Sequence, residues 1–221
     1  MLLAVDTSNE WMGLAVYDGS QVIGEKAWWS SQHHTVELAP AIQGLLKDCG
    51  LTMESITALG IAIGPGSFTS LRVGLALVKG LAYSRNIPLI GIPTLDILAH
   101  AQPVVDLPLA VAIQAGRGRY ALGWYQNVRG QWQAQGEARV VSIEALNDEV
   151  QSPSVVCGEF TDEVRQKIGE NKNAQLISQD DSMRKPSVLA KLAWRRFQNG
   201  DVDDAASLAP IYLHTAAPIQ P

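Results

Sequence analysis

The chain has 221 residues, is 47% hydrophobic and 18% charged, and carries a net charge of -5. This composition fits a soluble globular protein with a substantial core, and the length allows one large domain or two small ones. It lacks the basic footprint of a strong nucleic-acid binder, so tight RNA binding by this chain alone is disfavoured. No apolar run is long enough for a membrane span. The opening Met1-Leu2-Leu3-Ala4-Val5-Asp6 meets a carboxylate too early for a signal peptide, so the expected location is cytoplasmic. Cys49 and Cys157 form no CxxC unit and are expected to be reduced and structural.

Leu2–Val5 reads as a short buried strand ending at Asp6-Thr7-Ser8. Met12–Tyr17 and Gln21–Trp28 follow as strands joined through Asp18-Gly19, a hairpin signal. Val36–Cys49 places Val36, Ala39, Ile42, Leu45 and Leu46 at helical spacing, with Gly50 as its terminator. Ala58–Ile63 is the next strand. It enters Gly64-Pro65-Gly66-Ser67, and a helix then leaves with Leu71, Leu75, Val78 and Leu81 on one stripe. Ser67, Thr69 or Ser70 supplies the cap. Free N–H groups at such a helix start favour an anion. Yet neither the P-loop ending nor the three-glycine dinucleotide spacing is present, so anion binding and a tight structural turn both remain open. Arg72 can face an anion or pair with a carboxylate such as Asp6. Ile87–Gly91 is a further strand, and Thr94 caps a helix to about Ala101.

After Pro103 and Pro108 the order starts again. Leu109–Gln114, Tyr120–Gln126 and Gln131–Val140 read as strands, Ser142–Val150 as a helix, and Ser154–Cys157 as a strand. A helix from Thr161 to Ile168, a strand at Ala174–Ser178 and a helix at Ser187–Gln198 complete it. Two βββαβα units in one chain are the architecture of the actin, hexokinase and Hsp70 group, with ribonuclease-H-like halves. The boundary falls between 1–102 and 103–221. In that group phosphates lie near the first hairpin, which makes Asp6, Thr7 and Ser8, with Gly64, Gly66 and Ser67, the candidate phosphate-type cleft. The alternative for the triplet is an ordinary strand-end turn.

Asp6-Thr7-Ser8, the run from Gly64 to Gly74 and Gly91-Ile92-Pro93-Thr94 together resemble the TsaB (YeaZ) family over about the first hundred residues. Pro210-Ile211-Tyr212-Leu213 is similar to the family's C-terminal end. The resemblance implies an actin-like ATPase fold in a non-catalytic paralogue of the enzyme TsaD. With TsaD and the ATPase TsaE, such a chain supports threonylcarbamoylation of the adenosine beside the anticodon in tRNAs reading codons that begin with A, and it meets tRNA only through the complex. Where the catalytic paralogue carries a metal-binding histidine pair, this chain has Thr94 and Leu98, neither of which replaces an imidazole. Gln114-Ala115-Gly116-Arg117 stands where the family usually shows Asp-Ala-Arg. In Cys157-Gly158-Glu159-Phe160, Phe160 brings bulk to an adenosine-loop position, and Ser70 replaces a glycine often found in the turn. The expectation is a degenerate cleft with no required cofactor, ATP or ADP binding weakly at best.

The docking surface for the TsaD-like partner is expected on the helices at Val36–Cys49 and Phe68–Ser84, through Leu38, Ile42, Leu45, Leu71, Gly74, Leu75, Val78 and Gly80. A homodimer of the chain alone can use the same patch. Two other functions are weighed. A small-molecule kinase of the same fold needs Asp6 and a second cleft carboxylate, yet Gln114 stands at the second place. A metallopeptidase needs an HExxH-type helix, which is missing; His33, His34 and Glu37 offer two ligands at most, and His100 reads as structural. Arg117, Arg119, Arg129, Arg139, Lys185, Lys191, Arg195 and Arg196 form at most a modest basic surface, and the six tryptophans are expected mainly to pack sheet faces.

Overall fold

Strand β1 (Leu2–Asp6) is buried at all five residues, as a central strand covered on both faces must be. It pairs antiparallel with β2 (Trp11–Tyr17) and parallel with β4 (Ala58–Ala62). With β3 (Val22–Trp29) and β5 (Leu89–Ile92) the sheet runs β3-β2-β1-β4-β5. The computed structural model of the chain describes residues 1–30, 33–116 and 118–213. The β2–β3 hairpin turns on Asp18, whose Oδ1 accepts from Ser20 N–H, Ser20 hydroxyl and Gln21 N–H at 2.7–2.8 Å.

Side chains alternate across a strand, and β1 shows where they go. Leu3 and Val5 point to α1 (His34–Asp48) and α2 (Phe68–Arg85), joining Leu38, Ile42, Leu45, Leu46, Leu75 and Val78 in one cluster. Leu2 and Ala4 point to the opposite face, onto Leu189, Ala190, Leu192 and Ala193 of α6 (Pro186–Gln198). Helix α1 stops at Gly50 (φ +67°) with Gly50 N–H donating to Lys47 O and Leu51 N–H to Leu46 O, the paired bonds of a Schellman end. Asn86 in the left-handed region does the same for α2. A 3-10 turn at Met53–Ser55 precedes β4, and α3 (Thr94–His100) follows β5.

The second sheet has the order β11-β10-β6-β7-β8, built from β6 (Leu109–Gln114), β7 (Arg119–Val128), β8 (Gln131–Ala134), β10 (Ser154–Gly158) and β11 (Ala174–Leu176). β9 (Arg139–Ser142) also pairs with β7. The expected single strand Gln131–Val140 is thus two strands, because the stretch between them passes through Gly136 at φ +82°, which a strand does not accommodate. α4 (Ile143–Glu149) is capped by the Ser142 hydroxyl and α5 (Asp162–Gly169) by that of Thr161. Both pack on one cluster with Ala110, Ala112, Leu122 and Val156. Two expected caps do not form: Ser67 precedes α2 without a side-chain cap bond, and the Thr94 hydroxyl is buried with no protein partner. The two sheets, matched strand for strand, make this an actin-like ATPase fold with ribonuclease-H-like halves.

The boundary expected at 102 and 103 needs correction. One unit comprises Met1–Ile97 with Lys185–Ile211; the other comprises Leu98–Arg184 and the segment that starts at Tyr212. The reason is steric. The lower face of the first sheet carries Ala4, Ala15, Ala58 and Ala62, and a Cβ on Gly60 would sit 2.8 Å from Ala193 Cβ. Those small residues leave room for α6, so a helix written into the second half of the sequence closes the first sheet.

The segment after α6 completes that unit. Asp203 N–H donates to Leu89 O and Asp203 Oδ2 accepts from Gly91 N–H at 2.7 Å. Arg196 Nη1 donates to Gly91 O at 2.6 Å, and its guanidinium also binds Asp201 and Asp203. A carboxylate and a guanidinium thereby take the place of a sixth strand on the β5 edge.

Candidate functional site

The tip of the β1–β2 hairpin is tied to itself. Asp6 is buried, and its Oδ1 accepts from Ser8 N–H at 2.8 Å and from Ser8 hydroxyl at 2.6 Å. The Ser8 carbonyl accepts from Ser67 N–H at 2.7 Å, which staples the tip to the glycine turn. A Cβ on Gly66 would overlap that carbonyl, and one on Gly74 would overlap the Thr7 hydroxyl. Gly64 stands at φ +100° with Ile211 O 3.0 Å from its would-be Cβ, and Ile211 N–H donates to Ile63 O. The six cleft candidates therefore do come together. Asp6 Oδ1, the Ser8 hydroxyl and the Ser8 carbonyl are engaged within the chain, as the turn alternative requires. Arg72 lies 3.6 Å over the ring of Phe68, which is exposed.

The docking residues are placed differently from expectation. Leu38, Ile42, Leu45, Leu75 and Val78 lie in the chain's own core, Leu71 is fully buried, and Gly74 is covered by Thr7. A stripe at three- and four-residue spacing is the face that a helix turns to its own sheet, and that use takes these side chains out of reach of a partner. Gly80 alone of the eight is exposed, with open space where a Cβ would be. The outward face consists of Val36, Ala39, Gln43 and Lys47 on α1 and of Ala76, Gly80 and Tyr83 on α2. Its signal in the sequence is Ala76-Gly80-Tyr83, four and three apart and out of phase with Leu71, Leu75 and Val78. Between the helices opens a cavity of about 720 Å³, floored by Ile42, Leu46, Leu51, Met53, Leu77 and Leu81.

Other candidates resolve into structure. His34 is buried with Nε2 3.0 Å from Asn9 O. Glu37 accepts from the Trp28 indole at 3.0 Å, and that bond holds its carboxyl below the usual range. Thr94 and Leu98 are both fully buried. Among the described residues no group of three or more His, Cys, Asp or Glu is placed to hold a metal ion. Phe160 is buried over Gly158 and packs on Tyr120 with ring centroids 5.4 Å apart. Gln114 is exposed at the end of β6, and Arg117 lies outside the described residues. Burial pushes the Cys157 thiol up to about 11, and its Sγ is 3.6 Å from Ser182 Oγ, an unreactive setting. Of the basic residues, Arg139 pairs with Glu149 and Arg196 holds the β5 edge. Trp132 is buried, its indole donating to Gln102 O, whereas Trp11 and Trp29 are 40% and 54% exposed and meet edge to face.

The model of the TsaD family, described as tRNA N6-adenosine threonylcarbamoyltransferase, matches residues 28–168, well over half the chain. A Bacillus subtilis protein described as tRNA threonylcarbamoyladenosine biosynthesis protein TsaB is 35% identical over 58% of this chain and 56% of its own length. The chain belongs to the TsaB (YeaZ) family. The TsaB protein of Escherichia coli is 26% identical across 96% of this chain and 94% of its own length. A Pseudomonas aeruginosa crystal structure, described as an uncharacterized protein similar to peptidase YEAZ, superposes with a TM-score of 0.80 at 24% identity, covering 96% of this chain and 99% of that one. The match thus spans little more than half of the Bacillus TsaB protein and nearly all of the Escherichia coli one. No described helix is long and apolar enough to cross a membrane.

Proposed function

We propose that this chain is a non-catalytic scaffold and activator in tRNA threonylcarbamoyladenosine biosynthesis. It acts with a TsaD-like enzyme and a TsaE-like ATPase to modify the adenosine beside the anticodon in tRNAs that read A-starting codons. What carries the reading is a contrast within one unit. The tip that would face phosphate spends Asp6 Oδ1 and the Ser8 hydroxyl on each other, while the α1–α2 side holds an open apolar groove. Buried apolar surface drives association, so a groove of this kind suits a protein partner better than a charged metabolite.

The partner fits by descent as well. A model of the catalytic family matches the stretch that contains both α1 and α2, so the two proteins can present related helix pairs to each other across a quasi-twofold axis. Docking would activate by binding the enzyme's active arrangement more tightly than its resting one. On this reading tRNA is met only through the complex. The chain needs no cofactor of its own, and ATP or ADP binds it weakly if at all.

The decisive measurement is the yield of modified adenosine with enzyme, ATPase, tRNA and threonylcarbamoyl donor present, with and without this chain. Modification should depend on it. Equal yield in its absence overturns the reading, and rapid ATP consumption by the isolated chain would turn it toward a kinase.

A further inference from the structure

The two edges of the first sheet are guarded in different ways. β3 carries Glu25 and Lys26 at its middle, both exposed, so a twofold pairing with a second copy centred on either residue sets like charges opposite each other. β5 reads Leu89-Ile90-Gly91-Ile92 and has no charge. It is covered on both faces, with Leu89 in the α1–α2 cluster and Ile90 and Ile92 in the α6 cluster. An apolar edge of this kind invites another strand. The backbone groups it turns outward include Leu89 O, Gly91 N–H and Gly91 O. Asp203 N–H donates to the first at 2.9 Å, Asp203 Oδ2 accepts from the second at 2.7 Å, and Arg196 Nη1 donates to the third at 2.6 Å. We propose that Asp201–Ile211 is a releasable strap locked by the Arg196–Asp203 clamp, and that it guards an edge which otherwise pairs antiparallel, about Gly91, with β5 of a second copy of this chain.

The strap is lightly held. None of the residues from Asp201 to Ile211 is buried. Beyond the β5 bonds it is fixed by Ile211 N–H donating to Ile63 O at 2.7 Å, by the Lys79 ammonium donating to Ala206 O at 3.3 Å, and by Leu208 resting over Gly91. Its Asp204 carboxylate accepts from Ala206 N–H and Ser207 N–H, bonds that travel with the segment. Exposed backbone bonds and few apolar contacts belong to the low-stability end of a structure, where a segment opens without the rest. The second copy follows from the geometry left behind. Gly91 turns its N–H and its C=O outward together, as at a hydrogen-bonded site of an antiparallel ladder. Two copies of Gly91 therefore exchange both bonds, and Ile90 then stands opposite Ile92 of the second copy with no like charges in contact. Pro88 and Pro93 flank the strand and keep the ladder short. A twofold pairing uses this edge on both copies, so it closes as a dimer and does not grow into a fibre.

The test uses the full chain in two forms. In the unchanged chain, native-state hydrogen exchange at low urea should release the amides of Gly91, Asp203 and Ile211 together, ahead of those in β1 and β4. Protection of Gly91 there should not vary with protein concentration, whatever dimer the helices form. The double variant Arg196→Met with Asp203→Ala removes the clamp and keeps an apolar stem on α6. In dilute solution its Gly91 N–H should exchange about tenfold faster, for the loss of two charge-assisted bonds. As concentration rises that amide should regain its protection while sedimentation shows a dimer. Exchange of Gly91, Asp203 and Ile211 only with the whole first sheet overturns the strap. A double variant that does not fold places the clamp in the core and overturns it as well. A folded variant that sediments like the unchanged chain at every concentration, or that associates while Gly91 stays fast, overturns the pairing with a second copy.

Discussion

The two units repeat one sheet order but differ in the helices that cover it. In the first, α1 and α2 have 15 and 18 residues; in the second, the corresponding α4 and α5 have 7 and 8. A helix of two turns uses its few apolar residues, Ile143 and Leu146 or Ile168, on its own sheet. A helix of four or five turns, roughly 25 Å long, can do the same along one stripe and still offer a second face. Strand pairing constrains the sheet through backbone bonds on both sides, whereas helix length is free to change. The exposed apolar trough is therefore found where the helices are long. The strand tips differ in the same spirit: the first is locked by Asp6 and Ser8, while the second has Gln114 and two glycines at positive φ, Gly116 and Gly118.

The sharpest way to test the contrast is at glycines on the same helix. Gly74→Leu should prevent folding or destabilise by about 3 kcal/mol or more, because its side chain must displace Thr7 from the hairpin tip. Gly80→Ala faces open space and should raise stability by up to about 1 kcal/mol, with any loss confined to partner affinity. Urea unfolding separates them, and equal effects would refute the buried and exposed assignments. In the second unit Phe160→Ala should cost about 3–5 kcal/mol, read as faster amide exchange in β6 and β10 than in β1 and β4. Uniform acceleration across both sheets would show that the units do not respond separately.

Smaller effects probe the edges. Arg196→Ala removes the donor to Gly91 O and should cost roughly 1 kcal/mol after screening at a partly exposed pair, with faster exchange at Gly91 N–H. An unchanged exchange rate there would count against the clamp. The smallest concerns Asp18, whose carboxyl is lowered to about 2 by hydrogen bonds from Gln21 and Ser20. Since the folded value is the lower one, its contribution is present above the ordinary carboxylate range and is lost as pH falls through about 4 toward 2. Asp18→Asn should flatten the melting temperature slightly over that window; an identical acid slope would remove Asp18 from the cause.

Much of this was legible in the residues. The turn at Asp18-Gly19, the stop at Gly50 and the caps at Ser142 and Thr161 are local events, decided by side-chain and backbone bonds within a few positions. The meeting of Asp6-Thr7-Ser8 with the glycine turn was legible for the same reason, since adjacent parallel strands bring their ends together. The docking residues were misread because periodicity marks a buried face without saying what buries it. Leu38, Ile42 and Leu75 satisfy their stripe on this chain's own sheet, whereas Val36 and Ala39, which share the helical spacing of Ile42, Leu45 and Leu46 in the sequence, face outward.

The sequence by itself determined most of the local strands, turns and helix ends and the duplicated α/β plan, because each depends on residue type and near neighbours. Only the tertiary structure decided that α6 closes the first sheet, that Gly74 serves Thr7, and that an apolar trough with Lys47 at its rim remains open between α1 and α2. Those outcomes depend on which surfaces meet across long stretches of chain. Packing is a competition among all apolar faces at once, and no single stretch contains its result.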